Sequence, residues 1–212
     1  MLPTSIAALT EQIQALPGVG RRGAQKLALD LLQLPNQQFI NLDEAISRMR
    51  REVKFCHNCG FFAQNSEISE IKCQICLNSS RDQYQICLVE KPTDVLNIEK
   101  TQIYTGLYHV LGNLISPLDN VFVENTSLMD LLDRRIPTLL QNTDKIVELI
   151  LFFRSGFAAE ATTAYLRQVL QERGLHPKVN LTKLAEGLPL YYNPDNLDQA
   201  TMTKALEDRR GI

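Results

Sequence analysis

Apolar residues recur at Ile6, Leu9, Ile13 and Leu16, the spacing of one helix face, so "SIAALTEQIQAL" is predicted to be helical. Pro17, Gly18 and Gly20 break that helix, and "RRGAQKLALDLLQL" resumes the period with Ala24, Leu27, Ala28 and Leu31 inward. Pro35 and Asn36 punctuate again. A third helix is predicted from Asp43, with Ile46, Met49 and Val53 facing in. Residues 55–78 are polar and cysteine-bearing, with little hydrophobic periodicity. From Tyr84 the pattern changes. "QICLVE" reads as a short buried strand ending in an acid, and Pro92 to Asp94 start a helix, "DVLNIEK". "KIVELILFF" reads as a second buried strand, followed by the helix "AAEATTAYLRQVLQERG", which Gly174 ends, and "HPKVNL" as a further strand. Strands alternating with helices imply a parallel α/β sheet. The tail from Gly187 is loop-rich and closes in a short helix, "DQATMTKALEDRR".

Composition adds bounds. A chain of 212 residues with 44% hydrophobic and 22% charged residues has the make-up of a soluble globular protein able to bury a core. The N-terminus lacks a basic leader, and "IVELILFF" is too short to cross a bilayer, so a cytoplasmic protein is expected. In that compartment paired cysteines more often mean metal than disulfide. The net charge of −2 hides an uneven distribution. Residues 1–54 hold seven Lys/Arg against five Asp/Glu, and the remainder fifteen against nineteen.

The break between the first two helices, "LPGVGRRGAQKL", carries candidate chemistry. Gly18 and Gly20 allow a tight turn and leave amides open at the next helix's N-terminus, which suits a phosphate. Arg21, Arg22 and Lys26 sit early in that helix, where positive charge opposes the dipole unless an anion compensates it. This is the helix-hairpin-helix pattern, which grips DNA backbone without reading bases. The bland reading is a helical hairpin with a solvated basic face. Arg48, Arg50, Arg51 and Lys54 either extend the patch or belong to such a face.

The cysteines are more specific. "CHNC" and "CQIC" pair Cys56 with Cys59 and Cys73 with Cys76, with thirteen residues between the knuckles. Two such knuckles complete a tetrahedral site for structural zinc. A pair of redox motifs is the rival, but no hydrophobic strand precedes them as a thioredoxin-like motif requires. His57 lies inside a knuckle, where it could substitute as a ligand but is read as pointing to solvent, and Cys87 is read as an inert core thiol.

Glu90 ends the first buried strand, with Asp94 and Glu99 after it, where parallel sheets place their sites. A magnesium-dependent phosphoryl-transfer enzyme needs several carboxylates there. After the second strand only Glu160 is offered, and Arg154 stands where a metal-binding acid is wanted. Asp94 reads equally as an acid at a helix start.

Together, "LPGVGRRGAQKLA", the four cysteines, "CLVEKPTDVLNIE", "GLYHVLG", "SPLD", "EAT" and "GLP" resemble the bacterial RecR family of recombination mediators over nearly the whole chain. The resemblance implies a non-enzymatic protein of α/β class. It comprises a helix-hairpin-helix region at 1–54, a four-cysteine zinc finger at 55–78, a Toprim domain at 79–180 and a C-terminal loop and helix at 181–212. It implies a homo-oligomer, a tetrameric ring-shaped clamp with Arg21, Arg22 and Lys26 facing DNA across the Gly18–Gly20 turn. Such a clamp works with RecO, and in many bacteria RecF, to load RecA on SSB-coated single strands. Cys56, Cys59, Cys73 and Cys76 would hold zinc, and the Toprim acids Glu90, Asp94 and Glu160 would meet a protein partner such as RecO. Here "RSGFAAEAT" stands for the family's "NPTVEGEAT", so Ala158 replaces an acid in the loop associated with RecO. A metal-dependent Toprim nuclease or primase, and a zinc-stapled protein-interaction module, are the alternatives.

Overall fold

The computed structural model describes residues 2–65, 70–141 and 143–184, with Gln199 and Thr203. The loop expected from Gly187 and its closing helix lie outside the described residues, apart from Gln199 and Thr203, which are both helical. The chain forms two compact units, Met1–Lys54 and Phe55–Ile212.

In the first unit, α1 (Thr4–Gln14) packs on α2 (Arg21–Leu32), and α3 (Asn36–Glu52) follows. Helix α3 begins earlier than its apolar period suggested. Pro35 sets its start, the Pro35 carbonyl accepting from Gln38 and Phe39 N–H groups. The inward faces expected of these helices are only partly realised. Ala24 and Ala28 are buried, whereas Leu9, Leu16, Leu27, Ile46, Met49 and Val53 are exposed and α3 buries no residue. A three-helix unit of this size has too little interior to cover all its large apolar side chains.

A two-stranded sheet of β1 (Val53–Phe55) and β2 (Phe62–Gln64) precedes the short helix α4 (Gln74–Leu77). The main sheet then contains β3 (Asp82–Val89), β4 (Gly106–Val110), β5 (Val147–Phe152) and β6 (Val179–Lys183). Their order is β4-β3-β5-β6, every pair parallel. Helix α5 (Pro92–Glu99) connects β3 to β4, and α8 (Phe157–Glu172) connects β5 to β6. The winding reverses between β3 and β5, so a crevice opens at the carboxyl ends of those strands.

One sheet face sends Ile86, Leu88, Val147, Leu149 and Val179 into a core completed by Leu128, Leu132, Ile136, Leu166 and Leu170. The opposite face sends Cys87, Val89, Tyr108 and Val110 into a second core with Val95. Strand β4 has no apolar alternation because all five of its residues are buried. The stretch from α6 (Leu128–Asp130) to α7 (Ile136–Leu140) passes through a π-turn at Leu131–Arg135. Pro137 has no N–H to return to the Asp133 carbonyl, so a wider turn is favoured just ahead of it.

"GLYHVLG" acquires a physical account here, position by position. A Cβ on Gly106 would collide with the Tyr104 hydroxyl and lie 2.6 Å from the Gln85 carbonyl oxygen. Tyr108 donates to Glu99, which also pairs with Arg81, so Glu99 is a structural acid. Gly112 has φ +80°, a conformation that favours glycine. In the "EAT" segment, buried Thr162 accepts from the Ile115 N–H at 2.8 Å and donates to the Ala158 carbonyl, pinning the chain just before "SPLD".

His109 is 2% exposed, with Nε2 3.1 Å from the Ser127 carbonyl and Nδ1 3.2 Å from Arg135 Nη1. A guanidinium only donates, so Nδ1 accepts and Nε2 carries the proton. Burial first, then the Arg135 and Arg134 charges, pull the imidazole down to about 4, against Asp130. The unfolded imidazole titrates near 6.5, so between these values the unfolded chain binds more protons. Stability is therefore full above pH 6.5 and declines as pH falls toward 4, by up to about 3 kcal/mol. Urea unfolding at stepped pH should show that decline, and His109→Asn should flatten it; an equal slope in the variant would assign the acid sensitivity to other groups.

Candidate functional site

Two tight turns build the thiol cluster. In the first, the Gly60 N–H returns to the Cys56 carbonyl at 2.9 Å and the Cys56 N–H reaches the Phe61 carbonyl at 2.7 Å. In the second, Leu77 N–H reaches the Cys73 carbonyl at 3.0 Å, and the Cys73 sulfur caps α4 by accepting from Cys76 N–H at 3.4 Å. The His57 N–H donates to the Ile71 carbonyl at 2.9 Å and joins the two loops.

The four sulfurs of Cys56, Cys59, Cys73 and Cys76 all lie within 4.8 Å of one another, with Cys59 and Cys73 3.5 Å apart. Tetrahedral zinc with bonds of about 2.3 Å needs sulfurs about 3.8 Å apart, so the donor set fits. No disulfide joins them. Hydrogen bonds among the four sulfurs pull Cys56 down from the ordinary thiol range and push Cys59 up. One pocket cannot hold four thiolates without a cation. His57 is exposed and outside this set, and Cys87 is a buried core thiol that burial pushes up to about 12.

The knuckle is seated on the edge strand β4. Leu111 N–H donates to Val89 in β3, so the N–H of Val110 points away from the sheet, where the Cys59 carbonyl accepts it at 2.8 Å. Gly60, at φ +73°, lies against Val110, and a Cβ there would come within 3.2 Å of the Val110 carbonyl oxygen. Arg134 donates to the His57 carbonyl at 2.8 Å while paired with Asp130. All of these contacts lie within the second unit.

In the first unit the turn between α1 and α2 is closed by Val19 N–H to Leu16 carbonyl at 3.2 Å. Gly18 has φ +81° and requires glycine, while Gly20 has an ordinary φ of −79° and a Cβ there would meet nothing. The chain itself therefore needs a side-chain-free position at 18 but not at 20. Gly20 is the N-cap of α2, supplies no capping side chain, and no acid stands in the first turn. Arg21, Arg22 and Lys26 are all exposed and form no ion pair among the described residues. Arg50 and Arg51 stand in the last turn of α3, where the helix dipole favours cations.

At the sheet's carboxyl edge, a cleft of about 890 Å³ is lined by Glu90, Asp94 and Glu160 together with Lys91, Arg154, Arg167 and Lys183. Asp94 is engaged locally, accepting from the Lys91 N–H at 2.8 Å at the start of α5. Glu90 lies 3.7 Å from the Lys91 ammonium. Among the described residues, the cysteines form the one group of three or more potential metal ligands brought together. The acids share a cleft without converging on a point.

Sequence reasoning missed His109, Ser127, Arg134 and Arg135. "GLYHVLG" had marked the region, but its role needs the three-dimensional seat of the knuckle.

Fold and site define a Toprim-domain protein with an N-terminal helix-hairpin-helix and a four-cysteine metal-type knuckle. Residues 84–184 match the Toprim domain family, and residues 6–50 match the family described as RecR, helix-hairpin-helix. The chain is 36% identical over 212 residues to the Recombination protein RecR of Desulforapulum autotrophicum, covering 100% of this chain and 99% of that one. It is 38% identical over 208 residues to that of Bifidobacterium longum subsp. infantis, covering 97% and 96%. With that of Tropheryma whipplei strain TW08/27 the identity is 37% over 204 residues, covering 96% of each. The chain belongs to the RecR family of recombination proteins. No helix among the described residues is long and apolar enough to cross a membrane.

The knuckle makes stability the property to measure. Stripping metal with a strong chelator, or Cys56→Ser, should lower Tm by about 10 °C or more, at roughly 2–4 °C per kcal/mol for a chain of this size. An unchanged thermal scan after chelation would remove the metal from the fold's stability. Gly60→Ala should cost about 1–3 kcal/mol, since it imposes a positive φ on alanine and crowds Val110. Gly20→Ala should leave stability within about 1 kcal/mol of wild type by the same unfolding assay.

Proposed function

We propose that this chain is a non-enzymatic, DNA-binding recombination mediator that acts in DNA repair from the cytoplasm. The observation that carries the reading is the α1–α2 turn. Arg21 and Arg22 occupy the start of α2 beside open backbone amides, with no acid in that turn to offset them. A phosphate would satisfy amides, dipole and cations together. Gly20, which the chain does not need for its own packing, leaves room for a backbone to approach. Gly18, Gly20, Arg21, Arg22 and Lys26 are the proposed DNA-facing residues.

Zinc is the proposed occupant of Cys56, Cys59, Cys73 and Cys76. Four protein donors leave no open position, so its contribution is structural. The proposed functional regions are 1–54, 55–78, 79–180 and 181–212. The clamp reading includes self-association. The first unit leaves Leu27 of α2 and Ile46, Met49 and Val53 of α3 and its end exposed, apolar side chains that a second copy of the chain would cover. The tetrameric ring, and the partners RecO and RecF in loading RecA on SSB-coated single strands, rest on family membership. Glu90, Asp94 and Glu160 are the proposed partner-facing acids. A metal-dependent nuclease or primase is disfavoured because the cleft intersperses those acids with Lys91, Arg154, Arg167 and Lys183.

The test is fluorescence anisotropy of labelled single- and double-stranded oligonucleotides across a salt series, first without magnesium. Salt-sensitive, sequence-tolerant binding is expected, with strands intact after magnesium is added. Arg21→Ala with Arg22→Ala should weaken binding on every sequence and flatten the salt slope by about one unit for each phosphate no longer neutralised. Identical slopes for variant and wild type would move the DNA surface elsewhere, and strand cleavage would revive the enzyme.

A further inference from the structure

The π-turn delivers Arg135 to the interior, where it is 3% exposed. One guanidinium nitrogen, Nη1, is engaged by the Tyr108 carbonyl and by His109 Nδ1. Among the described residues, Arg135 Nη2 is the one buried side-chain nitrogen or oxygen with no hydrogen-bond partner. No carboxylate pairs with this residue among the described residues. An unpaired buried cation costs several kcal/mol, so a compensating negative charge is required. Burial lowers the basicity of Arg135, and the groups that oppose this are the thiols of Cys76, Cys59 and Cys56.

Four thiolates around one divalent ion carry two net negative charges. The orphaned guanidinium hangs on the Tyr108 carbonyl, two residues along β4 from Val110, whose N–H holds the Cys59 carbonyl, so Arg135 and the thiol knuckle are anchored to the same stretch of one strand. We propose that Arg135 is the charge-compensating residue of the metal–thiolate centre, holding its dianion against the sheet so that metal retention and knuckle seating depend on each other. This rests on the reading of the four thiols as a metal site. Arg135 acts through the thiolates and does not bind the ion. Its neighbour Arg134 fixes the same loop through the His57 carbonyl, so consecutive arginines serve the backbone and the charge of one knuckle.

The test measures zinc affinity by competition with a chromophoric chelator for wild type, Arg135→Lys and Arg135→Met. Wild type should bind tightest, lysine next, and methionine weakest by about 10–100-fold, the usual scale for outer-shell partners. Equal affinities for Lys and Met, or a Met variant equal to wild type, would overturn the proposal, because charge would not be the operative property. Stability without metal separates this from simple packing. Arg135→Met should be at least as stable as wild type when metal-free and less stable when loaded; equal losses in both states would overturn it. Should Arg135→Met fail to fold, the cobalt-substituted Arg135→Gln protein, which loses the charge but keeps a hydrogen-bond donor, should show its sulfur-to-metal charge-transfer band at lower energy than wild type, and an unmoved band would refute the role. Wild type that binds neither zinc nor cobalt would remove the metal centre and the proposal together.

Discussion

The seating of the Cys56–Cys59 loop on β4 is the contact on which the second unit depends. Strand β4 is an edge strand, and its Val110 N–H points away from β3 because Leu111 already serves that neighbour. An open edge is a liability for any sheet. The Cys59 carbonyl fills it, and the left-handed backbone of Gly60 lets the loop turn back at once without a side chain between itself and Val110. The edge bond places two thiols, and the His57–Ile71 bond brings the second loop to them. A metal-type site and the closure of a sheet are thus one structural event. The small knuckle has only a minor core of its own, so this edge contact is a main support for its first loop.

Much of this was legible in the chain. Strands β3, β5 and β6 and helix α8 follow apolar runs bounded by glycine and proline, because both sheet faces are covered. The CxxC spacing announced four thiols at one point, and they are there. Strand β4 and the helical stretch from Leu128 to Leu140 were not legible. "GLYHV" mixes tyrosine, histidine and glycine in a fully buried strand, and each is present for a non-local partner: Glu99, Ser127 with Arg135, and Gln85. Arg135 was invisible for a related reason. An arginine in "LLDRRIP" reads as a surface residue until a π-turn aims it inward.

The carboxyl edge of the sheet places acids and cations together at the crevice where such folds hold their sites. The crevice is where the winding reverses, and Glu90 stands at the end of its strand. Asp94 is engaged at the start of α5, and Arg154 stands just after β5. Two carboxylates placed among four cations favour ion pairing over chelation, because each cation opposes the negative potential that a divalent ion would need. The same mixture of signs suits a protein surface, where complementary charge sets the partner and the encounter rate.

The first unit follows the opposite logic. Its buried residues are the alanines of α2, α3 buries none, and large apolar side chains remain open to water. Under the proposed function, contacts to phosphate from two arginines and a lysine would be weak at physiological salt and would carry no sequence information. A hairpin used singly would release DNA readily. If further copies were joined to it, each hairpin would raise the effective concentration of the next at the strand, and avidity would grow without any new contact. On the proposed function, the exposed apolar side chains that a second copy would cover are therefore also what would make the binding tight.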